Sequence, residues 1–449
     1  MENLLFARTL MGISLGFHIV YVAFGIGFPL LLLVSELLAL KTGNEQYHRL
    51  ARSWTRPMTM LFAIGAVSGT ILSFELGLLW PRFMGFSGQM IGLPFWLEGF
   101  AFFTEAIFIG LYIYGGNRLS RRALLLCTVP ITIASAASAI FVISANGWMN
   151  SPGGFTPAGL GAADVRPWRA LANKAWAHEA IHGALATYVA ASFAIAGVYA
   201  LRLLRKGRGG MSPDRPGPTN FNLSRPGLSL SLAVGGLLVP LMLVTGDYSA
   251  TWVARQQPAK LAAMEIVPRT TRGAPMVIGG WLDETTGQIR YGLQVPKLLS
   301  LLAFHDPDAR VLGLDAFPPA LRPDANKVHP LFDLMVFSFF VMLAPSVWFW
   351  IARWRKKDVF ASRPLLASIV IASPFGLVAQ EAGWMVTEFG RQPWIAYQVM
   401  NVSNGVTPRS VEWVLVLFVL VYAALTAGLL KLLLAPEAKA GAPDEEEKY

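Results

Sequence analysis

Long apolar runs alternate with short polar connections along this chain, and that alternation predicts most of its architecture. A helix needs about 20 apolar residues to cross a membrane. About nine segments reach that length, at roughly 12–40, 54–79, 92–115, 122–145, 175–204, 228–246, 331–352, 364–387 and 411–433. The pattern predicts an all-α, polytopic membrane protein without an internal repeat. One connection is long: Asp247 to Pro330 mixes both charge signs with Pro and Gly. Structureless loops of that length are uncommon unless functional, so it is the candidate substrate-binding segment. The expected organisation is six helices over residues 1–246, an outer loop over 247–330, three helices over 331–434 and a disordered acidic tail over 435–449.

Composition agrees with the pattern. The chain of 449 residues is 54% hydrophobic and 14% charged, whereas soluble domains carry about a quarter charged residues. The net charge of +10 gathers in short connections. The first holds Lys41, Arg49 and Arg52, and the third Arg118, Arg121 and Arg122. The fifth, which includes a Gly/Pro/Arg-rich linker from Gly207 to Pro226, holds Arg202, Arg205, Lys206, Arg208 and Arg215. The seventh holds Arg353, Arg355, Lys356 and Lys357. The positive-inside rule puts these odd connections in the cytoplasm. The N-terminus and the long loop then face the periplasm, and the C-terminus lies inside. The basic charge is therefore topological and does not mark a nucleic-acid partner. A single cysteine, Cys127, rules out a disulfide within the chain. The N-terminus lacks a basic n-region and a cleavage site, which predicts an uncleaved first span.

Ionisable groups inside a membrane are costly, so they are functional by default. His18, Glu36, Glu75, Glu98, Glu105, His178, Glu179, His182, Asp333 and Glu381 all lie in or beside the spans. Counting along the helices places His18, Glu98, His182, Met335 and Glu381 at one outer level. Helix-capping groups have no reason to agree in depth, so the agreement predicts one buried polar chamber near the outer face. Glu98 and Glu105 are seven residues apart and share a helix face, with Glu105 about 10 Å deeper. The pair can relay protons from the cytoplasm or make two separate interhelical hydrogen bonds. His178-Glu179-Ala180-Ile181-His182 fits the two-histidine zinc signature. Zinc needs a third ligand, for which Asp333 is a candidate. Haem needs one histidine per axial position, with a partner such as Met335 from another helix.

Several segments carry a resemblance. They are Gly16-Phe17-His18, the run Leu97 to Glu105, Ala145-Asn146-Gly147-Trp148-Met149-Asn150-Ser151-Pro152, Lys260 to Glu265, Glu381-Ala382-Gly383-Trp384, and Gly390-Arg391-Gln392-Pro393-Trp394. On these the chain resembles subunit I of the cytochrome bd-type quinol oxidases, closest to the branch called cyanide-insensitive. The match runs from the first span to the eighth, and the family's nine-span topology is similar to the hydropathy reading. The resemblance implies quinol oxidation at the periplasmic face and reduction of dioxygen to water, building a proton motive force without pumping. It implies His182 and Met335 as axial ligands of a low-spin haem b. His18 and Glu381 would serve two high-spin haems, one b and one d, or a third haem b in place of d. Glu98 would lie beside the oxygen-reducing haem and Glu105 would feed it protons. Arg8 would pair with a haem propionate, and Arg391 and Trp384 would be further cofactor contacts. Lys260 and Glu265 would bind or deprotonate quinol, the two lying close together if their segment is helical. His178 would have no ligand role and would bond to a neighbouring helix or face the interface. The implied setting is the bacterial inner membrane, with subunit II, a small single-span accessory subunit and lipid as partners. The chain departs from the family pattern at Asp333, commonly Arg, and at Leu377, often Trp.

Two rivals come from other classes. An intramembrane zinc metalloprotease would use His178, Glu179 and His182, but leaves the depth of His18 and Glu381 unexplained. A proton-coupled transporter would use the buried glutamates, but transporters usually carry internal repeats.

Overall fold

The computed structural model describes residues 2–116, 118–158, 161–206 and 223–434. The acidic tail expected over 435–449, and residues 207–222 of the fifth connection, lie outside the described residues. Among the described residues, nine helices are long and apolar enough to cross a membrane. Their cores coincide with the nine apolar runs, but most helices extend beyond them. Hydropathy marks only the part of a helix that meets hydrocarbon, while backbone hydrogen bonding carries the helix on into the polar layer.

The spans form an up-and-down bundle. Helix α1 (Glu2–Thr42) turns at Gly43, where φ is +67°, into α2 (Glu45–Leu79). The Asn44 side chain accepts from the Gln46 backbone N–H at 3.0 Å and caps α2. Helix α3 (Pro81–Gly115) follows after Trp80, with Pro81 at its first position, where the missing N–H is harmless. Helix α4 (Arg121–Asn150) is capped by Ser120. A short hairpin and α5 (Pro167–Leu171) lead into α6 (Trp176–Lys206). Helix α7 (Ser224–Gln256) runs ten residues past the apolar segment read as the sixth span.

The long connection is folded. Helix α8 (Pro258–Met264) begins at Pro258, which ends α7. Three short antiparallel strand pairs and α9 (Leu298–Phe304) follow. This segment has its own apolar cluster, including Leu261, Met264, Val267, Leu299 and Val328. The ring nitrogens of His329 lie 2.6 Å from Met264 O and 3.0 Å from Gly279 O, tying the loop to the next span.

That span is α10 (Ala325–Trp354). The eighth is broken at Ser373-Pro374 into α11 (Arg363–Ala372) and α12 (Phe375–Gly390). After a strand pair at Trp394–Ala396 and Met400–Asn401, α13 (Val402–Gly405) precedes the last span, α14 (Glu412–Leu434). With nine spans, the odd and even connections fall on opposite faces. The long loop, the 151–175 connection and the segment after Gly390 therefore share one face. The Tyr397 N–H donates to Met149 O at 2.8 Å, and Gln257 Nε2 donates to Asn150 O at 2.9 Å, joining the three.

Candidate functional site

A cavity of about 2330 Å³ runs between the helices, more than twice the roughly 1,000 Å³ upper end for small-ligand pockets. Its walls are mostly apolar. Arg8, His18, Glu98, Glu105, His182, Lys260, Glu265, Met335, Glu381, Trp384 and Arg391 all line it. Every site residue expected from the sequence thus borders the same space.

The two histidines are held alike. His18 Nδ1 lies 2.9 Å from Ser68 Oγ on α2. That hydroxyl also lies 2.9 Å from Ile64 O, and with its proton on that carbonyl it accepts from Nδ1–H of His18, leaving the lone pair on Nε2. His182 Nδ1 lies 2.9 Å from Thr245 Oγ1 on α7, which is also within 3.2 Å of Leu241 O, the same arrangement. Among the described residues neither Nε2 has a hydrogen-bond partner. Ligating histidines are oriented in this way through the second nitrogen.

Glycines make the room. A Cβ on Gly69 would come 3.1 Å from His18 Cε1. One on Gly383 would come 3.1 Å from Met335 Sδ, and one on Gly16 would come 3.4 Å from Glu381 Oε2. Glu381 Oε1 is buried without a partner. So are Nε and Nη1 of Arg391, whose Nη2 donates to Glu388 Oε2 at 2.6 Å. Buried polar groups without partners are expensive, and such groups in a native fold call for a ligand. Imidazole nitrogens without partners, a thioether, a carboxylate and a guanidinium with two nitrogens unmatched suit an iron porphyrin with anionic propionates.

Toward the loop, a polar network closes the cavity. Lys260 Nζ donates to Gln257 Oε1 at 3.1 Å. Asn150 Nδ2 donates to Glu179 Oε1 at 2.9 Å and to Asn146 Oδ1 at 2.8 Å. Asn146 Nδ2 in turn donates to Glu388 Oε1 at 3.0 Å. Sequence reading did not assign Asn146, Asn150, Gln257 or Glu388 to the site. The four-residue spacing of Asn146 and Asn150, and the three-residue spacing of Glu388 and Arg391, were the available signals.

Lys260 and Glu265 are both buried, and they do not pair with each other. The segment is helical, but five residues turn the two side chains apart. Burial pulls the Lys260 ammonium below its usual range, with the nearby Glu179 carboxylate opposing the shift. Glu265 is pushed up to about 8 by burial first and by the charge of Asp333 second. Its Oε2 has no partner.

The deeper carboxylates lie on α3. Glu98 Oε1 accepts from Ser138 Oγ at 3.1 Å, and Glu105 is buried with an unpartnered Oε1. The zinc arrangement does not form. Among the described residues no three His, Cys, Asp or Glu side chains converge as a metal site. Asp333 instead accepts from the Gly279 N–H at 2.5 Å. His178 Nδ1 lies 3.2 Å from Ser249 Oγ on the neighbouring α7, with its ring against Trp252.

Residues 6–440 match the profile of the family described as Cytochrome bd terminal oxidase subunit I. A Bacillus subtilis (strain 168) protein provisionally named cytochrome bd menaquinol oxidase subunit I is 34% identical over 438 residues, spanning 97% of this chain and 96% of the relative. The cytochrome bd ubiquinol oxidase subunit 1 of the same organism is 30% identical over 465 residues, spanning 98% and 95%. Among solved structures, the bd oxidase from Geobacillus thermodenitrificans superposes with a TM-score of 0.88 at 33% identity, covering 96% of this chain and 98% of that one.

Proposed function

Because the chain belongs to the cytochrome bd terminal oxidase subunit I family, and so is the quinol oxidase subunit of a haem-containing membrane complex with a subunit II, we propose how its residues divide the work. His182 and Met335 hold a low-spin haem b, and His18 and Glu381 hold two high-spin haems, one b and one d or both b. When bound, the haems supply the one-electron chemistry that joins quinol to dioxygen. A histidine–methionine pair leaves no open iron position and raises the potential, which suits an electron relay. A single protein ligand leaves a position free for oxygen.

Arg8 and Arg391 would balance the charge of haem propionates, and Trp384 would supply an apolar wall to the haem space. The Lys260 ammonium orients a quinol oxygen, while the Glu265 carboxylate takes a quinol proton. Buried donors with shifted affinities are suited to such transfers. Glu105 and Glu98 bring protons from the opposite face to the oxygen site. Quinol protons leave at the periplasm and oxygen takes up protons from the cytoplasm, so a potential builds without a pump. A small single-span subunit is a further partner of the complex.

The observation that carries this reading is the matched pair of Nε2 lone pairs, each fixed by a hydroxyl, on one cavity with the unpaired Arg391 and Glu381 groups. The purified complex should show a Soret band, and pyridine haemochrome analysis should resolve haem b from haem d. His182→Ala should remove the low-spin signal selectively. Survival of that signal would overturn the axial assignment.

A further inference from the structure

Resting on the proton-relay reading of Glu98 and Glu105, we propose that His48, Glu36 and Tyr112 form the mouth through which protons reach that relay. Tyr112 lies seven residues after Glu105, which lies seven after Glu98. Seven residues advance a helix about 10 Å and rotate it by only about 20°, so the three groups form one column on α3. Glu105 and Tyr112 are both buried.

The column does not end at Tyr112. Its hydroxyl donates to Glu36 Oε1 at 2.5 Å, and His48 Nδ1 lies 3.1 and 3.0 Å from the two Glu36 oxygens. The Glu36 side chain is 1% exposed, while that of His48 is 15% exposed. Only the histidine end of the cluster therefore meets solvent. His48 stands in the first turn of α2, beside the first connection. That is the face opposite the folded loop holding Lys260 and Glu265. Arg52 packs against Gly116 at the same end, where a Cβ would collide with its guanidinium.

Two buried hydroxyls of α4, which bond to Leu125 O and Thr132 O of their own helix, lie at the heights of the gaps in the column. The Ser138–Glu98 bond fixes the register of the antiparallel α3 and α4. Counting equal rises from it, Ser135 falls opposite the interval between Glu98 and Glu105. Thr128 falls opposite the interval between Glu105 and Tyr112. Thr128 is fully buried and Ser135 is 1% exposed. A structural pin joining α1, α2 and α3 would need the Glu36 contacts alone. It would not need Tyr112 in line with two further carboxylates, nor buried hydroxyls between them.

The transfer is balanced at each hop. His48 Nε2 takes a proton from solvent and Nδ1 gives one to Glu36. Glu36 protonates the Tyr112 oxygen as that hydroxyl releases its own proton inward along the column toward Glu105. His48 is left with its proton on Nε2 instead of Nδ1, and exchange with solvent or a turn of the ring restores it before the next cycle; four such protons meet the four electrons of two quinols to turn one dioxygen into two waters.

The test uses the assembled two-subunit oxidase carrying Glu36→Gln, Tyr112→Phe or Glu36→Asp, with Glu105→Gln as the benchmark. Haem absorbance, quinol-driven oxygen consumption, its solvent deuterium isotope effect and proton uptake in a single turnover are measured. Glu36→Gln and Tyr112→Phe should keep the full haem spectrum and lose about 100-fold in turnover, the lower end of what a proton-transfer group contributes. Their isotope effect should rise and proton uptake should slow, while Glu36→Asp recovers most of the rate. Loss of haem in Glu36→Gln would leave Tyr112→Phe, which preserves the ring, to decide. Parental turnover and uptake in Tyr112→Phe, with Glu105→Gln slowed, would overturn the mouth and leave the relay standing. Parental behaviour in Glu105→Gln as well would overturn the relay, and the mouth with it.

Discussion

At the scale of single residues, the chemistry rests on which atoms are left without partners. Ser68 and Thr245 each hold a histidine through Nδ1 and leave its Nε2 without a partner among the described residues. Nothing in the local sequence around His18 or His182 signals those hydroxyls, which arrive from other helices. Glu265, outside the spans, makes a testable case. The neutral acid dominates below its value of about 8 and the carboxylate above it. A base toward quinol must be unprotonated, so kcat/KM for quinol should rise with pH through about 8. Glu265→Gln should flatten that limb and lower the plateau by about 100-fold, the scale of a lost general base. An unchanged limb in that variant would assign the titration to another group. The stability effect has the opposite sign. Between the ordinary 4.5 and about 8 the folded state binds more protons than the unfolded one. Stability from this group therefore falls as pH rises across that window.

At the scale of elements, helix spacing sets the cavity. The eighth span breaks at Ser373-Pro374, because proline withholds an N–H and crowds the preceding turn. Helix α12 then approaches α6 closely. A Cβ on Gly376 would lie 2.5 Å from the backbone Cα of Ala190. Gly376→Ala should push α12 from α6 at a cost of about 1–3 kcal/mol. The expected result is a lower melting temperature and weakened absorbance from haems held by His182 and Glu381. Gly77→Ala, at a position with open space around it, is the control and should leave both unchanged. The apolar runs located each span, but the break was not visible in them. Serine and proline inside a hydrophobic run read as part of it. Nor did hydropathy register that α7 continues to Gln256, because its last turns are polar.

At the scale of the whole molecule, sidedness is decided by helix count and charge. The folded loop and the His48 cluster lie on opposite faces, so the proposed quinol site and the proposed proton mouth are separated by the membrane. This orientation can be checked by thiol labelling. The single native cysteine, Cys127, is buried and can be replaced by serine. A cysteine introduced at Glu284 should react with an impermeant reagent from outside intact cells, and one at Lys356 only after lysis. The reverse pattern would invert the topology. Trp96, Phe100, Phe103, Ile107 and Tyr114 leave one stripe of α3 exposed, a surface for lipid or subunit II. The sequence by itself determined the class and the number of spans, because burial in hydrocarbon acts on each 20-residue window independently, and its basic connections predict the sidedness. It also marked the residues proposed to carry the chemistry, because an ionisable group in a span is too costly to be idle. Only the tertiary structure decided that Lys260 faces Gln257 and Glu179 rather than Glu265, and that Tyr112 meets Glu36. Contacts between residues distant along the chain depend on helix rotation and register, which no local window contains.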